Sequence, residues 1–300
     1  MLKNYTNNFQ IGNLSHLTPN NSRINTAGKQ IYNLGNEVTD MIFTTEIDQY
    51  AMTCNLNLEK ISHQFDREFQ PIVYESEAPY LEAGLIEPVQ KFFTNLVNTL
   101  KNFVRQIQES VQATIRTKNI KRQLRAFHAE LEKIEKDPTN KKHTVQMIDV
   151  EALSACMTDA ANDLYKIHKR MVKNKYRHLS ELDSDVKKFN EIYEKSETRY
   201  NTIMEKEIKM SVRKAINLIE DELTGRRPLI KAMNQAIQSC EEMSRYVDQI
   251  SQKRDLYGAD MLPAYMSAGK RITSKFTNFI QRGVGKGISK LIAGAVFLLA

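Results

Sequence analysis

The sequence predicts an all-α fold: an elongated bundle of long amphipathic helices with coiled-coil-like packing and an irregular amino-terminal arm. Three observations carry this. Glycine and proline number only 11 and 7 in 300 residues, too few for a many-turned β architecture. Charged residues make up 26% of the chain and hydrophobic ones 41%, which suits a core beneath solvated faces. Apolar residues also recur every three or four positions over most of the length, the period that gathers them on one helical face.

Residues 1–36 hold nine asparagines with Gly12, Pro19, Gly28 and Gly35 and no sustained period, which predicts an irregular arm. From residue 37 the pattern changes. Ile47, Tyr50, Cys54, Leu58, Ile61, Phe65 and Phe69 share a face, predicting a helix that stops before Pro71. Two prolines and a glycine then mark a connector near 70–87, and Glu87-Pro88 opens a second helix, since a first-turn N–H has no intrahelical partner to lose.

That second helix has the strongest period, from Val89, Phe92 and Phe93 to Val111 and Ile115, and continues more thinly through Phe127 and Ile134 to about Lys136. A connector follows near 137–146, around Asp137-Pro138. The three-four spacing is then nearly unbroken over residues 147–223, as either one rod or two helices meeting near residues 178–185, where Ser180 and Ser184 are candidate caps. Thr224-Gly225 supplies a stop and Pro228 a restart, which makes 224–228 a connector before a helix ending near Gly258. The organisation is therefore an arm (1–36), a helical bundle (37–258) and a cationic, apolar tail (259–300).

No motif for catalysis or metal binding emerges, and no cofactor is expected. The six histidines form no HExxH or ExxH pair, and no CxxC occurs. His168 reads as part of a cationic helical face. The GVGKGISK stretch at 283–290 lacks the spacing of a phosphate loop, and Gly283 and Gly287 read as close-packing positions or a flexible joint. Cys54, Cys156 and Cys240 fall on apolar stripes and read as small buried hydrophobes in a reducing compartment.

Charge is more informative. The net charge is +7, and two runs carry no acid. The first contributes Arg116, Lys118, Lys121, Arg122 and Arg125, the second Lys166, Lys169, Arg170, Lys173, Lys175 and Arg177. These are candidate polyanion-binding residues, weighed against solvated coiled-coil faces. Residues 261–300 carry six Arg/Lys and no acid. There Ile272, Phe276, Phe279, Ile280, Ile288, Leu291 and Ile292 line one face of an interrupted helix, suited either to a membrane surface or to a partner. The amino terminus lacks a cationic-then-apolar leader, and the apolar carboxyl end is too short to span a bilayer.

In texture, the Phe-rich segment EPVQKFFTNLVNTLKNFVRQI followed by a charged helix resembles helical, lysine-rich virion proteins of large tailed bacteriophages, over residues 85–260. The resemblance implies a structural, non-enzymatic component of a capsid, tail or internal head body, made in the host cytoplasm and then carried in the virion. Its partners would be other copies or other structural subunits, with nucleic acid on the basic faces. The alternatives are a membrane-active helical protein that uses the carboxyl-terminal tail, and a nucleic-acid packaging protein.

Overall fold

The computed structural model describes residues 21–74, 81–117, 119, 122, 123, 125–127, 129, 131, 144–174, 176–252 and 261–299. The fold is all-α with one small two-stranded sheet. In chain order the elements are α1 (Asn21–Tyr74), α2 (Leu81–Thr117), β1 (Thr144–Ile148), α3 (Val150–Lys173), α4 (Leu179–Glu205), β2 (Glu207–Ser211), α5 (Val212–Leu223), α6 (Pro228–Gln252) and α7 (Met261–Leu299).

Several boundaries differ from expectation. Helix α1 begins at Asn21, so the arm predicted over 1–36 is helical in its second half, and residues 1–20 lie outside the described part. It also runs through Pro71 to Tyr74; a proline in a last turn removes one backbone bond and leaves the others in place. Helix α2 starts at Leu81, placing Pro88 inside it. Leu85 and Ile86 are buried together with Val89, Phe92 and Phe93, and extending that apolar stripe backwards offsets the lost donor. Gly84, whose carbonyl lies four residues before Pro88, has no side chain to add to the crowding.

The expected continuation of α2 to Lys136 is interrupted. Helix α2 ends at Thr117, and Asn119 takes a left-handed φ of 50° with its N–H on the Arg116 carbonyl, a helix-stopping conformation that asparagine tolerates. Residues 132–143 lie outside the described part.

The long period over 147–223 resolves into β1, three helices and β2. Helices α3 and α4 are separated at residues 174–178, just before the predicted interval. The two strands pair antiparallel, Thr144 with Ser211 through Ile148 with Glu207. Each strand feeds a helix through a cap: Asp149 Oδ1 accepts from Ala152 N–H at 3.0 Å, and Ser211 Oγ from Lys214 N–H at 3.3 Å. The ribbon thus fixes where α3 and α5 enter the bundle.

The stop at Thr224-Gly225 and the restart at Pro228 are present, but the left-handed residue is Arg227 (φ 49°) and no described glycine has positive φ. Helix α6 is described to Gln252, and residues 253–260 lie outside the described part.

The largest departure is α7. Residues 259–300 were expected as a tail with an interrupted helix, yet α7 is one 39-residue helix packed against each of α1 to α6. The glycines are what admit it. A Cβ on Gly283 would stand 2.1 Å from Met157 Sδ, and one on Gly287 would stand 2.7 Å from Leu229 Cδ1 and 2.9 Å from Leu153 Cδ2. Those two positions are notches where α3 and the start of α6 lie close against α7, not a joint.

Candidate nucleic-acid interface

Because α7 is enclosed by the other helices, its surface divides sharply. Ile272, Phe276, Phe279, Ile280, Ile288, Leu291 and Ile292 are all buried, so the face assigned to a membrane or partner is spent on the core of this chain. Over residues 261–295 the exposed positions are Ser267, Arg271, Lys275, Arg282, Lys286, Lys290 and Ala293. Every charged residue among them is basic. Arg271, Lys275, Arg282, Lys286 and Lys290 follow one another at steps of four, seven, four and four residues, one face of a helix. At 1.5 Å per residue the row is about 28 Å long.

Neighbouring helices hold this row in different ways. Lys275 Nζ donates to Asn190 Oδ1 at 2.9 Å and lies 5.4 Å from the Tyr193 ring centroid. Arg282 pairs with Glu197 at 3.1 Å and lies over Tyr200 at 5.4 Å. Arg271, Lys286 and Lys290 make no ion pair among the described residues. Lys270, one position off the row, is pinned inward on Asp66 at 3.0 Å. Beside the row, α1 and α4 flank a groove of about 460 Å³ lined by Asp48, Ala51, Met52, Asn55, Tyr193, Asn278, Phe279, Gln281, Arg282 and Lys286.

The two predicted basic runs are placed elsewhere. Arg116 ends α2, and Arg122 and Arg125 follow the Asn119 turn, all three exposed; Lys118 and Lys121 lie outside the described residues. In the second run Lys166, Lys169, Arg170, Lys173 and Arg177 are exposed and Lys175 lies outside the described part. That run is partly neutralised. Lys166 meets Asp163 at 3.4 Å, and Lys169 lies over Tyr165.

Arg170 is committed to buried Asp185, with Nε at 2.8 Å and Nη2 at 2.5 Å. Asn174 Nδ2 and Tyr176 Oη also donate to Asp185, at 3.1 and 3.0 Å, so this carboxylate ties the end of α3 to the start of α4. The Tyr176 hydroxyl pKa is raised, first by burial and then by the Asp185 charge. As a polyanion contact Arg170 is therefore corrected to a structural one, because its guanidinium already has a buried counter-ion.

The remaining titratable groups of note are internal. His168 is buried, not part of a cationic face. His168 Nε2 lies 2.9 Å from Thr273 Oγ1, and Nδ1 lies 2.8 Å from Ser239 Oγ and 3.1 Å from the Ser239 carbonyl oxygen. Burial brings the His168 pKa down to about 4, against a smaller raising effect from the Ser239 carbonyl.

Glu222, at the end of α5, is also buried. Its carboxylate accepts from Ser154 Oγ at 2.9 Å and from Leu229 N–H, in the first turn of α6, at 3.0 Å. Burial pushes its pKa up to about 7, opposed by those two hydrogen bonds. All three cysteines are buried and free, and burial pushes the Cys54 thiol up to about 12. Among the described residues no group of three His, Cys, Asp or Glu is placed to hold a metal ion, and no described helix is long and apolar enough to cross a membrane.

The signal for the α7 row is present in the sequence as the four- and seven-residue steps between its cations, which a total of six Arg/Lys over residues 261–300 does not express. Comparison of the chain with protein-family models, with curated proteins and with solved structures gives no match.

Proposed function

We propose that this chain is a structural, non-catalytic protein of the virion kind its sequence resembles, and that it works by holding nucleic acid along α7. The observation that carries the reading is the composition of the one open strip of the innermost helix, where every charged side chain is a cation. A row about 28 Å long on a rigid helix presents those charges at fixed spacing to a phosphate backbone. Counterion release on phosphate neutralisation then supplies affinity without base readout.

Two further features support it. Among the described residues the apolar face of α7 is packed within the chain, which leaves its charged row as the part of that helix open to a partner. His168 and Glu222, two of the buried groups with displaced pKa values, have hydrogen bonds to Ser239, Thr273, Ser154 and Leu229.

Fluorescence anisotropy with labelled DNA tests the reading. Binding is expected at low salt, weakening steeply as salt rises. Exchanging Lys286 and Lys290 for glutamine should lower the slope of log K against log salt by about 2, near 0.9 per duplex phosphate contact, with thermal stability unchanged because neither makes an internal ion pair. No binding at low salt, or an unchanged slope, overturns the proposal. Capture by anionic vesicles without DNA binding would replace it with a membrane-surface role.

A further inference from the structure

We propose that the groove between α1 and α4 seats an unstacked nucleobase, so that the α7 row takes a single strand in preference to a duplex. The inference rests on the nucleic-acid reading of that row. Arg282 and Lys286 belong both to the row and to the groove lining, so a strand whose phosphates follow α7 carries its bases over the opening. At about 460 Å³ the space falls in the range that accommodates small organic groups.

Its walls suit a base. Met52 on α1 is 66% exposed at the rim, a soft apolar surface that water solvates poorly. Opposite, the Arg282 guanidinium is held by Glu197 and lies over Tyr200, a fixed planar cation of the kind on which bases stack. Asn55 and Asn278 bring amides to the lining. The Asn278 Oδ1 atom is buried and accepts no hydrogen bond among the described residues, whereas a buried acceptor is ordinarily paired. A base amino or imino N–H is a donor of the type it lacks. In a duplex the imino N–H is paired and both ring faces are stacked, so only an unpaired strand can offer them together.

The experiment compares three labelled probes at one salt concentration: oligothymidylate, the same length of abasic deoxyribose-phosphate, and a duplex of equal phosphate count. Oligothymidylate should bind about fivefold or more tighter than the abasic strand, the lower end of what stacking one base contributes, and tighter than the duplex. Met52→Ala, which strips the rim, and Asn55→Phe, which fills the groove from its α1 wall, should each bring the base-to-abasic ratio towards one while leaving the salt slope intact. Equal affinity for base-bearing and abasic strands overturns the groove and leaves the α7 row standing, as does a ratio that neither substitution changes. If no strand binds at low salt, both readings fall together.

Discussion

Replacing Glu222 with glutamine should remove a pH dependence that burial builds into the fold. The carboxyl is 2% exposed, and its pKa rises from 4.5 to about 7, mainly because burial penalises the charge. A folded-state pKa above the unfolded one means that the stabilising contribution is whole below 4.5 and is lost as pH rises through 7. With about 1.4 kcal/mol per tenfold change, full ionisation in the fold costs on the order of 3 kcal/mol relative to the unfolded chain.

Glutamine keeps an oxygen for Ser154 and for Leu229 N–H but never ionises. Urea unfolding of both proteins at about pH 5 and about pH 8 should show Glu222→Gln gaining roughly 2–3 kcal/mol on the parent between the two conditions. The comparison is a difference of differences, so His168, which titrates in the opposite sense, cancels. An equal stability difference at both pH values would refute the argument that this carboxylate is charged at a cost in the fold.

Other perturbations follow from the same packing. Gly283→Ala gains roughly 1 kcal/mol of helix propensity but drives a methyl into Met157, and the loss of about 1–3 kcal/mol expected from overpacking should lower the melting temperature; a rise would show that α3 and α7 are loosely apposed. Asp185→Ala should cost about 2–3 kcal/mol in urea unfolding, more than Arg170→Ala, which leaves the carboxylate bonded to Asn174 and Tyr176. An equal cost would mean that the Arg170 pair alone fastens α3 to α4. His168 stays neutral because its pKa is lowered to about 4, so its contribution is present above the ordinary 6.5 and lost as pH falls. His168→Gln should therefore flatten the acid limb of the stability profile, and an unaltered limb would assign acid sensitivity elsewhere.

Helical faces were legible because burial follows period: Val89 to Val111 and Met157 to Met171 turn inward as their spacing requires. Other features were not, for physical reasons. Met147, Ile148, Ile208 and Met210 sit on strands, since an apolar residue at every second to fourth position satisfies either period when the run is five residues long. Helix over residues 21–36 has a thin stripe of its own, Ile24, Ala27, Ile31 and Leu34 at steps of three and four, which the asparagines and glycines between them obscure. Pro71 and Pro88 suggest boundaries in sequence, yet each removes one donor, which the packing around Leu85 and Ile86 outweighs at the second. The apolar residues of α7 are buried, but an apolar spacing does not name its partner, and here the partner is the chain itself. Arg170 and Lys290 are both exposed helical cations; Asp185, fifteen residues beyond the first, engages Arg170, whereas Lys290 has no ion pair among the described residues.

Chain order gives the position of α7 a consequence for biosynthesis. The helix that every other described helix touches follows all six, so at ribosomal rates of roughly 5–20 residues per second the earlier helices wait on the order of tens of seconds for their common partner. During that interval Phe65, Met157 and Met243, which pack beside α7 in the finished bundle, have only each other or a chaperone for cover. The nascent protein should therefore bind holdase chaperones until α7 clears the exit tunnel.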